Sequence, residues 1–119
     1  MLMQPKVLVT QSATVPVGVY DVEEIRFDMG VMCGVIIKHA GHDVGISTNS
    51  EHEHVKILFY TGYTDAMDRP IYENDMMAIT TPYGTECGRV TMSKGRYVVE
   101  MMDHKIGLNV AVDNNAMIV

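Results

Sequence analysis

Apolar residues in this chain come in runs of four to seven, bounded by Gly, Asp, Asn or Ser, and none of the runs is long enough for a good helix. Val7-Leu8-Val9-Thr10, Glu24-Ile25-Arg26-Phe27, Val31 to Ile37 and Val44-Gly45-Ile46-Ser47 read as strands in the first half. Val55 to Tyr60, Met76 to Thr80, Gly88 to Met92, Tyr97 to Met101 and Leu108 to Val112 continue the pattern in the second. Turns fall at Thr81-Pro82-Tyr83-Gly84 and Ser93-Lys94-Gly95-Arg96, where Pro presets the backbone φ and Gly supplies a positive one. Strands spaced about ten residues apart predict an all-β fold of short antiparallel strands in a sandwich or barrel. Helix is expected only as a turn or two within Ala66 to Asn74.

One stretch is more specific. Leu58-Phe59-Tyr60-Thr61-Gly62-Tyr63-Thr64-Asp65 is followed by Arg69-Pro70-Ile71-Tyr72-Glu73-Asn74-Asp75-Met76-Met77, a strand, a tight loop and a second strand entry. An aromatic before Thr-Gly, a polar loop with an Asp, then Ile-Tyr-Glu-(Gly or Asn)-Asp and an apolar strand resembles the YopX-like proteins of bacteriophages and prophages. The resemblance runs from roughly Val55 to Met102, its specific part is Leu58 to Met77, and it does not reach the first fifty residues. It implies a mainly β pseudo-barrel, with motif positions at Tyr60, Thr61, Gly62, Asp68, Tyr72, Glu73, Asn74 and Asp75. It implies a phage setting but no reaction. The Asn-Asp strand entry with two hairpins behind it also resembles a small SH3-like barrel. Phe59 stands where the family carries Gln, and Asp68 and Asn74 stand where it carries Gly. Since Asn and Asp reach the left-handed region at least cost among non-glycine residues, both are expected to hold positive φ.

At 119 residues the chain fits a single domain, with an N-terminal β segment 1–50 and a YopX-like β segment 55–119. No linker or low-complexity run interrupts it, and the opening residues lack a basic flank before a long apolar stretch. No apolar run approaches the ~18 residues of a membrane span, so a soluble, cytoplasmic protein is expected. A net charge of −6 with both signs interspersed argues against sequence-independent binding to nucleic acid. Arg89, Lys94 and Arg96 share one hairpin; solvated charges that keep hairpin edges from pairing are the simpler reading there. Exposed edges and apolar termini, Leu2 at one end and Ala116-Met117-Ile118-Val119 at the other, must be covered, which favours a homo-oligomer over a monomer.

The chemistry-bearing residues are sparse. Cys33 and Cys87 stand alone, without ligand spacing, and are expected as reduced structural thiols. Eleven methionines are a large excess. Met29, Met32, Met76, Met77, Met92, Met101, Met102 and Met117 lie in or beside apolar runs, where a flexible thioether fills gaps between sheets. In the pairs Met76-Met77 and Met101-Met102, one side chain would face inward and the other outward. Tyr60, Tyr63, Tyr72 and Asp75 could line a pocket, although Tyr at a sheet interface is more often packing with its hydroxyl satisfied. Glu51-His52-Glu53-His54 puts His52 and His54 on one strand face, where they could share a metal with His39, His42 or Asp43 across a hairpin. That segment follows Ser47-Thr48-Asn49-Ser50, and a polar hairpin tip in water is the simpler reading.

A small phage-encoded accessory or interaction protein with an unknown protein partner, without enzymatic activity or cofactor, is therefore the expectation. A metal-dependent enzyme built on the His-rich segment is the alternative, and a nucleic-acid-binding small barrel the third. Purified, untagged protein is expected to carry less than stoichiometric zinc and to keep its melting temperature in a chelator. One-to-one zinc lost in a His52→Ala, His54→Ala double variant would reverse that order.

Overall fold

A computed structural model describes residues 4–48 and 50–119, so Leu2 and Asn49 lie outside the described residues. The fold is all-β and antiparallel, and the chain divides into two compact units, Met1–Phe59 and Tyr60–Val119. Each has its own apolar cluster. The boundary falls inside the signature stretch 58–77, past residue 55, where the sequence suggests a second segment to begin.

The first unit contains β1 (Lys6–Gln11), β2 (Gly18–Asp28), β3 (Val31–His39), β4 (His42–Ser47) and β5 (His54–Leu58), in the sheet order β4-β3-β2-β1-β5. Alternation along β1 buries Val7 and Val9 completely, against Val22, Val35, Ile37 and Ile46 of its neighbours. Burying each such side chain contributes about 1.5–3 kcal/mol. Because β5 pairs with β1, residues 54–58 belong with the N-terminal strands and not with segment 55–119. The run Val55 to Tyr60, read as one strand, is two: β5 ends at Leu58, and β6 begins at Tyr60 in the other unit.

The second unit pairs β6 (Tyr60–Thr64) with β7 (Pro70–Tyr72). It also holds a five-stranded sheet of β8 (Met76–Thr81), β9 (Gly84–Ser93), β10 (Arg96–Glu100), β11 (Lys105–Gly107) and β12 (Met117–Ile118), in the order β11-β10-β9-β8-β12. Ile71, Met77, Ile79, Val90 and Val99 form its core together with Leu108 and Ala111 of the short helix α1 (Leu108–Asp113) and with Ala116. Gly88 admits no side chain, because a Cβ there would lie 2.7 Å from both Met101 Cγ and Val99 Cγ1 and 2.8 Å from the Glu100 carbonyl oxygen. That absence lets Met101 lie against the backbone of β9.

Three hairpins turn on two residues of positive φ: Met29 (52°) with Gly30 (81°), Ala40 (51°) with Gly41 (80°), and Lys94 (52°) with Gly95 (82°). Two positive φ values in a two-residue loop give the type I′ geometry, whose twist matches that of the flanking strands. The expected turns at 81–84 and 93–96 are both present.

Two expectations are corrected. Leu108 to Val112, read as a strand, is helix: Leu108 and Ala111 are buried three residues apart while Val110 is exposed, so the apparent alternation of Val110 and Val112 misled. Its C-terminus closes with the Ala116 N–H donating to the Ala111 carbonyl and the Asn115 N–H to that of Val112, with Asn115 at φ 60°. This is the Schellman arrangement, and an Asn in the left-handed position is its sequence mark. The helix looked for within Ala66 to Asn74 does not form, and that stretch holds a turn, β7 and a second turn. The C-terminal backbone pairs with its own chain, Met117 and Ile118 with Ala78 and Met77 and the Val119 N–H with the Met76 carbonyl at 2.9 Å; Ala116 is buried and Ile118 partly so, while Met117 and Val119 keep exposed side chains.

Asp68 (φ 61°) and Asn74 (φ 73°) hold the positive φ expected of them. Asn74→Gly should therefore change stability by less than about 0.5 kcal/mol, whereas Asn74→Val should cost about 1–2 kcal/mol, as a β-branched residue in the left-handed region does. Urea unfolding of the two variants measures the difference.

Candidate functional site

The motif residues of the second unit are brought together, and their polar groups act on the backbone around them. Thr61 Oγ1 is buried, donates to the Ile71 carbonyl at 2.7 Å and accepts from the Tyr63 N–H at 3.3 Å, joining β6 to β7. Tyr60 and Tyr72 face each other across the same pair with ring centroids 5.9 Å apart. Asp75 Oδ2 accepts the Tyr72 N–H at 2.8 Å and closes the turn through Glu73 and Asn74. The Asn74 N–H then donates to the Val90 carbonyl, the Val90 N–H to that of Asp75, and Arg89 Nη1 to the Asn74 carbonyl oxygen at 2.9 Å. Tyr97 donates its hydroxyl to Glu73 Oε1 at 3.4 Å, and burial followed by the Glu73 charge raises its pKa. Gly62 takes φ 90°. Tyr63 is exposed and Tyr72 buried, so the tyrosines pack rather than line a cavity.

Asp65, quoted in the signature but not singled out as a site residue, accepts five donor contacts on its two oxygens. With its side chain fully buried, Oδ1 accepts from the Met67 and Arg69 N–H groups, both at 2.9 Å. Oδ2 accepts from Arg69 Nε at 2.9 Å, Arg69 Nη2 at 2.8 Å and the Ile118 N–H at 3.0 Å. Arg69 Nη2 also donates to the Ile118 carbonyl at 2.8 Å, so one carboxylate ties the 65–69 turn to β12. Burial pushes its pKa up, but these donors prevail and hold it at about 2.

Glu51 and His52 form an exposed turn and His54 opens β5 with its side chain exposed, as a polar tip in water requires, and only Glu53 departs from that reading. Glu53 is buried, with Oε1 accepting from the Ala13 N–H at 3.3 Å and Thr14 Oγ1 at 3.0 Å, and it pins the loop after β1. The Ser12 hydroxyl, with Thr14 and Ala13, lowers its pKa against burial. Its Oε2 is buried without a hydrogen-bond partner among the described residues. Two of the suggested third ligands are engaged elsewhere, since Asp43 pairs with Lys38 at 2.8 Å and His39 packs edge-on against Tyr20. Among the described residues the one set of three side chains close enough to share a metal is Glu86, Asp103 and His104, all exposed. There the Asp103 carboxylate bonds His104 Nδ1, and Glu86 Oε2 lies 3.8 Å from Nε2. Both carboxylates raise the His104 pKa, Asp103 most, so a metal would have to displace a proton that this setting favours. Cys33 and Cys87 are free thiols.

Two surface features remain. The β2–β3 hairpin ends in a two-stranded tip, since β1 pairs with β2 only as far as Asp21 and β4 with β3 only from Gly34. On it Phe27 is 64%, Met29 97% and Val31 65% exposed. In the second unit an open groove of about 570 Å³ is lined by Met76, Cys87, Gly88, Arg89, Met101 and Met102, with Thr91 and Glu100 at its side. Of the methionines, Met77 is buried, Met32 and Met101 pack partly against the cores, and Met29, Met92, Met102 and Met117 are exposed. Core filling thus accounts for only part of the methionine excess.

The stability carried by Asp65 has a definite pH dependence. Its carboxyl titrates lower in the folded state than in the unfolded chain, so the contribution is complete above the ordinary Asp pKa and is lost as pH falls toward about 2. That contribution should amount to about 2 kcal/mol. Asp65→Ala should cost about 3–5 kcal/mol at pH 7, because it strands the Arg69 guanidinium and the three backbone N–H groups of Met67, Arg69 and Ile118; unfolding curves at pH 7 and pH 3 compare the two proteins.

No protein-family model, curated protein or solved structure matches this chain.

Proposed function

We propose that this chain is a small non-enzymatic interaction module of the kind phages and prophages encode as accessory proteins, working as an oligomer in the cytoplasm of a bacterial host. The observation that carries the reading is the β2–β3 tip, where Phe27, Met29 and Val31 are displayed to solvent on a hydrogen-bonded hairpin. Phe27 and Val31 stand on the two faces of the hairpin and Met29 at its turn, so its end is apolar on every side, and exposed apolar surface of this kind marks sites of association. The motif positions support it from the other side: Thr61, Asn74 and Asp75 spend their polar groups on turns and strand pairing, which makes them a scaffold. The phage setting rests on the resemblance of residues 58–77 to YopX-like proteins. No helix among the described residues is long and apolar enough to cross a membrane. Net negative charge favours a protein partner over nucleic acid.

Affinity capture from phage-bearing bacterial cells tests the reading, with the tagged chain and its Phe27→Asp, Met29→Asp variant as baits. A protein retained by the first and lost by the second, and rebinding when purified, is the expected result. Equal recovery on both baits would remove the tip from the reading.

A further inference from the structure

We infer that two copies of this chain pair through β4, antiparallel across a two-fold axis at Gly45, so that their five-stranded sheets join into one continuous sheet. The inference rests on the oligomer of the proposed reading and names its interface. Among the described residues β4 pairs with β3 alone and ends its sheet with an open edge. Such an edge is ordinarily defended by shortness, a bulge, a proline or a lysine. The other edges carry these defences: β11 and β7 have three residues and β12 two, β6 has a register shift against β7, and β5 holds Lys56 at its centre. β4 has none of them. Its six residues, His42-Asp43-Val44-Gly45-Ile46-Ser47, keep an unbroken register along β3.

The β3–β4 hairpin fixes which backbone groups face outward. Its two-residue turn makes His39 and His42 a hydrogen-bonded pair, and such pairs recur at every second residue, down to the Thr48 N–H donating to the Cys33 carbonyl at 3.1 Å. Val44 and Ile46 therefore direct their backbone groups to β3, while Asp43 and Gly45, both exposed, direct theirs to the open side. The edge is self-complementary, as a two-fold contact requires. With Gly45 opposite its own copy, each Gly45 N–H donates to the other's carbonyl. Val44 then lies opposite Ile46 of the second copy on the apolar face, where Val44 is only partly buried by its own core. Asp43 lies opposite Ser47 of the second copy, so no like charges meet, and Asp43 keeps its ion pair with Lys38. A Cβ at Gly45 would meet nothing within 4 Å, so the approach is open, and glycine within a strand suits a place where a second backbone comes close.

Sedimentation velocity on untagged protein from about 10 µM to about 500 µM tests this, the range suited to an interface smaller than about 1,200 Å². The average mass of the wild type should climb from 13.2 kDa toward twice that value and stop there. Gly45→Pro removes an N–H that β3 does not use, and Gly45→Lys sets two like charges against each other across the axis. Both variants should stay monomeric, and so should Gly45→Glu. Mixed one to one, the Lys and Glu variants should form a dimer, because opposite charges then face each other, and that recovery also shows that both are folded. A monomeric wild type across the range, Gly45→Pro and Gly45→Lys variants that dimerise as the wild type does, or a Lys–Glu mixture that stays monomeric overturns the proposal. A dimer that survives Gly45→Pro and Gly45→Lys moves the oligomer to another surface, and capture through Phe27 and Met29 reads the interaction module separately from all of these results.

Discussion

A buried carboxylate organises the second unit. The Asp65 charge would be costly out of water, yet five donor contacts converge on its two oxygens. Those donors come from the turn after β6 and from β12, so the charge is satisfied only when both are in place. Satisfying it seats β12 along β8, which otherwise would present an open edge near Met77 and Ala78. Covering Ile71, Met77 and Ala116 then follows from an electrostatic requirement as much as from apolar area.

Much of this architecture is legible in the residues. The alternation in Val7 to Thr10 and the dipeptide Lys94-Gly95 declare a strand and a hairpin, because side-chain period and turn φ are local properties. Asp68 and Asn74 were readable for the same reason. What escaped depends on context. Leu108 to Val112 alternates well enough for a strand, and only the burial of Leu108 with Ala111 makes it a helix, although Asn115 was its visible stop signal. The run through Phe59 looks continuous, and no local feature says that the chain changes units there. Glu53 reads as a water-facing residue among histidines until Ala13 and Thr14, forty and thirty-nine positions away, supply its donors.

The signature residues and the exposed residues divide the work. Thr61, Asn74 and Asp75 sit where polar groups are needed to hold turns, and they are consumed there. The surface of the first unit instead displays Phe27, Met29 and Val31 on strands that lie outside the resemblance altogether. Met29, like Ala40 and Lys94 in their own turns, holds a φ near 50° that Asn or Gly would adopt with less strain. Of the three, Met29 is a large apolar side chain almost wholly in solvent.

The pairing of β12 with β8 also orders events during synthesis. The hairpins β8–β9 and β9–β10 join near neighbours in sequence and can close while the chain is still emerging from the ribosome. Asp65 then has its local donors from Met67 and Arg69 but lacks the fifth, which belongs to Ile118, fifty-three positions downstream. Until that residue appears, the 65–69 turn can close on its own bonds but the β8 edge that β12 covers stays open, a nascent state with an exposed strand edge.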